Sequence, residues 1–197
     1  MRTYCPTCAA QIEHRVPSGD DRPRDICSAC GEIFYDNPRN VVGTIVERNG
    51  AILMCRRAID PRRGFWTLPA GFLELGESGF SGAARETREE ANAEVDQGEL
   101  FAMIDITHIG QIHIFYRATL VSDYWAPGPE SEISCFIDEQ DIAWSQLAFP
   151  SIHRTLTHYF NDRRRGYFEP HIETLERDSW QTLGLDRDPT PNRHARC

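Results

Sequence analysis

Gly71-Phe72-Leu73-Glu74-Leu75-Gly76-Glu77-Ser78-Gly79-Phe80-Ser81-Gly82-Ala83-Ala84-Arg85-Glu86-Thr87-Arg88-Glu89-Glu90-Ala91-Asn92 is the stretch on which the reading of this chain turns. Its second half is rich in Ala, Glu and Arg and predicts a helix from about Ser78 to Ala91. Ser78 suits the N-cap, and Asn92 suits the left-handed residue after the helix, where glycine is commonest. Glu86 and Glu90 stand four apart and stack on one helix face, and Glu89 borders it. Three carboxylates within one turn repel each other unless a cation sits among them. Oxygen donors of this kind suit Mg²⁺ or Mn²⁺. Taken alone, the helix also reads as an ordinary solvated face, with Arg85 and Arg88 neutralising the glutamates.

Outward from this helix, residues 37–166 read as an α/β domain. Val41–Val46 and Ala51–Cys55 are strand-like, and Asn49-Gly50 between them marks a tight hairpin. Further strands are expected at 99–107, 111–121 and 132–137; the run from Gln111 to Tyr116 alternates only in part, which leaves its two faces open. A second helix is expected from Ser151, as cap, to Arg165, with Arg163-Arg164-Arg165 at its negative end and Gly166 as its stop. Residues 167–197 are polar and contain proline, and read as a loosely packed tail, partly disordered towards its end.

Residues 1–36 form a separate unit too poor in apolar residues to build a core, so something else must hold it together. Cys5-x2-Cys8 and Cys27-x2-Cys30 have the spacing of a four-thiolate zinc ribbon, in which each short loop offers two sulfurs to a tetrahedral ion. Such a site is structural, since four protein ligands leave no position for water. Two disulfides are the competing reading; the odd count of 7 cysteines and the absence of an apolar leader favour a reducing cytoplasm. Cys55 and Cys135 lie in apolar strand patterns and are expected in the core, and Cys197 is expected to be exposed.

The composition sets limits on the rest. A chain of 197 residues with 40% hydrophobic content supports one ordinary core plus an appendage. No apolar run is long enough to cross a membrane as a helix. The net charge of −9 disfavours non-specific binding to nucleic acid or anionic lipid, and the first 36 residues are themselves acidic.

The quoted stretch resembles the signature of the Nudix hydrolases, G-x5-E-x7-R-E-U-x-E-E-x-G-U with U a bulky aliphatic residue. Gly71, Glu77, Arg85, Glu86, Glu89 and Glu90 fall in register, while Thr87, Asn92 and Ala93 depart from the pattern at uncharged positions. The resemblance implies an α/β/α sandwich with a mixed sheet, preceded here by the small zinc ribbon. It implies that Glu86 and Glu90 are principal Mg²⁺ or Mn²⁺ ligands, assisted by Glu89 and the carbonyl of Ala70, and that Arg85 pairs with Glu77 to orient the helix. Family members often add a later loop glutamate as ligand or base; Glu130 is the first candidate here and Glu132 the second. Arg57 or Arg56, at a strand end before the active-site loop, is placed to meet a phosphate, or is simply a surface arginine.

The whole arrangement is similar to the zinc-ribbon-bearing Nudix group. NADH pyrophosphatases of that group carry S-Q-P-W-P-F-P-x-S soon after the box, which residues 94–110 lack; Ser145–Ser151 is only a partial echo. FAD and ADP-ribose diphosphatases look closer, through Ile33-Phe34-Tyr35, Trp66–Gly71, Ala126–Ser131 and Leu147-Ala148-Phe149. The resemblance therefore implies hydrolysis of FAD or ADP-ribose with release of AMP, by an enzyme whose relatives are often homodimers. NADH pyrophosphatase or a general ADP-X diphosphatase, and a non-catalytic ADP-ribose or nucleotide sensor, are the alternatives. Phe72, Phe115, Tyr116, Trp125 and Phe149 are candidates to stack a base or flavin, against a plainer role in the core. His108 and His113 read as structural.

Overall fold

The chain is described here from a computed structural model, for residues 2–185. It divides into two compact units, Met1–Pro38 and a second starting at Arg39. Cys197 and the last part of the expected tail lie outside the described residues.

The first unit is a three-stranded antiparallel sheet of β1 (Ile12–Arg15), β2 (Arg24–Cys27) and β3 (Ile33–Phe34). Ile26 is its one buried aliphatic side chain among the described residues. Its ordered loops come from backbone bonding around the cysteines. The Cys5 amide donates to the Ala10 carbonyl at 2.8 Å and the Cys27 amide to the Glu32 carbonyl at 2.9 Å. Ala9 (φ 59°) and Gly31 (φ 74°) supply the left-handed residue that closes each loop.

The second unit contains β4 (Arg39–Arg48), β5 (Ala51–Arg57), β6 (Trp66–Thr67), β7 (Ala70–Phe72), α1 (Gly79–Ala91), β8 (Val95–Ile106), β9 (Gln111–Leu120), β10 (Ser131–Ile137), α2 (Pro150–Arg165), β11 (His171–Thr174) and α3 (Ser179–Thr182). The sheet order is β10-β5-β4-β9-β8-β11, with β6 on β5 and β7 on β4. It is mixed: β4 and β9 run parallel, as do β8 and β11, and the other pairs run antiparallel. Asn49 and Gly50 both take positive φ, which makes the hairpin between β4 and β5 a primed turn.

Alternation along β4 and β5 shows the sandwich directly. Ile45, Ile52 and Met54 point to the face where α2 buries Ile152, Leu156 and Phe160. Their neighbours Val46, Leu53 and Cys55 point to the opposite face and meet Ala91 of α1. One sheet thus separates two apolar layers, each capped by a helix. Cys135 is buried in the α2-side layer.

Two expectations need correction. Helix α2 is capped by Phe149 with Pro150 at its first turn, so Ser151 lies inside it; the Ser151 hydroxyl instead faces His113 Nδ1 at 2.8 Å. Proline's fixed φ suits the first helical position and sets the start one residue earlier. Residues 167–185, expected as loose tail, are packed. Strand β11 extends the sheet beside β8, Leu175 and Leu185 are buried, and Phe168, Trp180 and Leu183 cover the α2-side core.

Candidate active site

Helix α1 is held at both ends by its own sequence. The Ser81 amide donates to Ser78 Oγ at 3.1 Å, and Asn92 sits in the left-handed region at φ 48°. Two of the departures from the signature have visible partners. Thr87 Oγ1 donates to the Ala83 carbonyl at 2.7 Å and lies 2.6 Å from Thr44 Oγ1, so a buried hydroxyl pair replaces an aliphatic contact. Asn92 Nδ2 donates to the carbonyls of Ala126 and Pro127 at 3.1 and 3.2 Å, where a glycine would have nothing to offer. That loop closes on the helix end: the Gly128 amide donates to the Glu90 carbonyl at 2.9 Å, and a Cβ at Gly128 would run into the Glu89 carbonyl. The loop therefore delivers Glu130 to the same region.

Arg85 organises the glutamates. Its Nε and Nη2 donate to the two Glu77 oxygens at 2.7 and 3.1 Å, and Nη2 also reaches the Phe72 carbonyl at 3.0 Å. Nη1 lies between Glu86 and Glu89, at 2.8 and 3.0 Å. One planar guanidinium thus ties the loop before α1 to the helix, as a point-charge lysine would not. Glu90 is turned the other way. It is only 4% exposed, and its Oε2 accepts from the Ala70 amide of β7 at 3.0 Å. Burial pushes its carboxyl up to about 8, and burial also raises that of Glu86. A Cβ at Gly71 would displace the Glu86 carboxyl from its place. Among the described residues, only the thiols of Cys5, Cys8, Cys27 and Cys30 gather their ligand atoms within 4.8 Å of one another. The carboxylates of Glu86 and Glu89 share Arg85, while that of Glu90 is held by the Ala70 amide. Within the quartet, the Cys30 amide donating to Cys27 Sγ at 3.4 Å holds that thiol low, at about 6.

A cleft of about 1090 Å³ brings together Ala70, Phe72, Arg85, Glu86, Glu89, Glu90, Glu130 and Arg57. Arg57 Nε donates to the Pro61 carbonyl at 2.9 Å, and the guanidinium lies 5.3 Å from the Phe149 ring centre. Arg56 instead pairs with Glu132 at 2.9 Å, and neither lines this cleft. His113 touches the cleft but is buried, bonded to Ser151 and Gln111, and kept neutral by burial at about 4.

The aromatic candidates separate. Phe72, 48% exposed, and Phe149, half-buried, present surface to the cleft. Phe115 also lines the cleft, but it is 0% exposed and its ring belongs to the α2-side core. Tyr116 packs edge-on against Phe80, and Trp125 against Phe136, both away from the cleft. The sequence reading missed Trp180, Glu176 and Leu175, which line the cleft from the segment taken as tail. The signal was there in Leu175, Trp180, Leu183 and Leu185, an apolar set too regular for a solvated tail.

Residues 36–160 match the family described as NUDIX domain, and residues 3–36 match Zn_ribbon_Nudix, described as Nudix N-terminal. A NUDIX hydrolase crystal structure from Nitrosomonas europaea superposes with a TM-score of 0.83 at 43% identity, covering 88% of this chain and 100% of that one. The ADP-ribose pyrophosphatase of Methanocaldococcus jannaschii is 38% identical over 57 residues, 29% of this chain and 34% of that protein. The NAD-capped RNA hydrolase NudC of Escherichia coli O157:H7 is 28% identical over 138 residues, 70% of this chain and 44% of that protein. The chain thus spans less than half the length of these two curated relatives.

Proposed function

The chain belongs to the Nudix family, with a zinc ribbon and its cysteine cluster ahead of the Nudix fold, and from that premise we propose that it hydrolyses the diphosphate of a nucleoside diphosphate joined to a second group, ADP-ribose or FAD, releasing AMP. The observation that carries this reading is a cleft lined by three glutamates of α1, a loop glutamate and an arginine. The donors fit a divalent cation: all are oxygens, and the missing Cβ of Gly71 lets the Glu86 carboxylate lie against β7 in the cleft. Glu86, Glu89, Glu90 and the Ala70 carbonyl would hold Mg²⁺ or Mn²⁺. Bound there, such ions neutralise diphosphate oxygens and lower the pKa of water.

The chain's own groups do the remainder. Arg57 pairs with a phosphate and holds the diphosphate against the helix. Glu130 takes the proton of the attacking water, whose oxygen bonds to phosphorus as the anhydride P–O bond breaks. Arg85 keeps the helix and its preceding loop in register, which is positioning rather than chemistry. In the ribbon, Cys5, Cys8, Cys27 and Cys30 would hold zinc as a structural ion. A homodimer, expected from the resemblance, is checked by mass in solution.

The test is AMP release from ADP-ribose, FAD, NADH and NAD⁺, and NMN release from an NAD-capped RNA, with and without Mg²⁺ or Mn²⁺. Metal-dependent turnover of ADP-ribose or FAD above the others supports the reading. The likeness to NudC favours a second reading, in which the nicotinamide dinucleotides lead. Silence across the panel with tight ADP-ribose binding would make the chain a nucleotide sensor.

A further inference from the structure

The cleft that holds the glutamates is also lined by rings. Phe149, just ahead of α2, and Trp180, in α3, are both half-buried and both line the cleft. Their ring centres lie 6.4 Å apart at an interplanar angle of 71°, an edge-to-face pair that leaves ring surface for a third partner. Each ring also carries a cation: Arg57 over Phe149 at 5.3 Å and Arg62 over Trp180 at 4.7 Å. Arg57 itself lines the cleft together with Glu90.

The wall is fastened. Strand β11 pairs with β8, the Leu175 amide donates to the Asp105 carbonyl at 2.8 Å, and Arg154 grips both oxygens of Glu173 at 2.8 Å. Buried Leu175 and Leu185 bracket α3. A tryptophan held half-buried in a cleft, next to a phosphate-sized cation and a second ring, is suited to a flat heteroaromatic ring joined to a phosphate. The Glu176 carboxylate also lines the cleft and disfavours a further phosphate beside it.

We propose that Trp180, together with Phe149, forms the subsite that stacks the planar ring of the nucleotide, adenine or isoalloxazine, and so selects nucleotides over diphosphates that lack a ring. The inference rests on the hydrolase reading and deepens it. Its test is binding of AMP, FMN and ribose 5-phosphate to zinc-loaded protein without added Mg²⁺ or Mn²⁺, by calorimetry and tryptophan quenching, alongside ADP-ribose kinetics. AMP or FMN binding with saturable quenching is expected, and whichever binds identifies the ring. Trp180→Ala should weaken that binding and raise KM about tenfold, the scale of one lost base stack, with the loss in KM rather than kcat. Trp180→Phe should restore affinity while removing the quench. Ribose 5-phosphate should bind all three proteins alike.

Unchanged AMP and FMN affinity in Trp180→Ala overturns the proposal, as does an equal loss for ribose 5-phosphate. Should the alanine variant fail to fold, a wild-type quench that persists in Trp180→Phe overturns it equally. A panel without hydrolysis but with Trp180-dependent ring binding sinks the hydrolase reading alone. Hydrolysis indifferent to Trp180 sinks only the subsite.

Discussion

The two units of this chain face the same problem, gathered ligand groups, and solve it in opposite ways. In the first unit almost nothing apolar is buried, and the four thiols draw to within 4.8 Å of one another. There the ligand cluster replaces a core. In the second unit the sheet buries an apolar layer on each face, and this stability supports a strained arrangement: Glu90 only 4% exposed, with Glu86 and Glu89 close by. There the core comes first and the ligand cluster is its burden. A closed set of soft donors is architecture, and an open set of hard donors facing a cleft is equipment for chemistry.

Metal removal should give the largest difference. Stripping zinc with a strong chelator, or Cys8→Ser, should unfold the first unit outright, since structural zinc contributes about 10–16 kcal/mol in small metal-dependent folds. Amide exchange of residues 2–38 reads this, with the β4, β8 and β9 amides staying protected. Equal loss of protection in both units would break the contrast.

Glu90→Gln comes next. It should lower turnover at least about 10²-fold at saturating Mg²⁺, the scale of one strong transition-state stabiliser. A variant retaining more than about a tenth of wild-type turnover removes Glu90 from the chemistry. The same change should stabilise the zinc-loaded protein at alkaline pH in the absence of Mg²⁺ and Mn²⁺. The Glu90 carboxyl sits at about 8 against an ordinary 4.5, so between those values the unfolded chain has lost a proton the folded chain still holds. Stability of the wild type therefore falls as pH rises from 4.5 to 8 and levels off above. Calorimetric melting across that range should show a flatter profile for Glu90→Gln, and a parallel profile would show that Glu90 is not the burden described.

Thr87→Val is the smallest. It restores an aliphatic residue at the signature position but leaves the buried Thr44 hydroxyl without its partner at 2.6 Å. A destabilisation of about 1–2 kcal/mol is expected in denaturant melts, with the ribbon's exchange pattern unaltered. A gain in stability would mean that packing outweighs the hydroxyl pair.

What could be read from the sequence was local. The cysteine spacing, the Asn49-Gly50 turn, Ser78 and Asn92 around α1, and the register of Glu77 with Arg85 all depend on residues a few positions apart, where propensity and periodicity act. What escaped was long-range. The pairing of His171–Thr174 with β8 is set by a strand some seventy positions earlier, and no local pattern announces it. Phe115 looked available because β9 alternates imperfectly, which is how a strand covered on both faces reads. Ser151 looked like a cap because serine usually is one, but Phe149-Pro150 had already begun the helix.

The parallel pairing of β11 with β8 sets one wall of the cleft some eighty residues after the end of the acidic helix. Truncation before His171 would leave the carboxylates in place and take away one bank of the cleft.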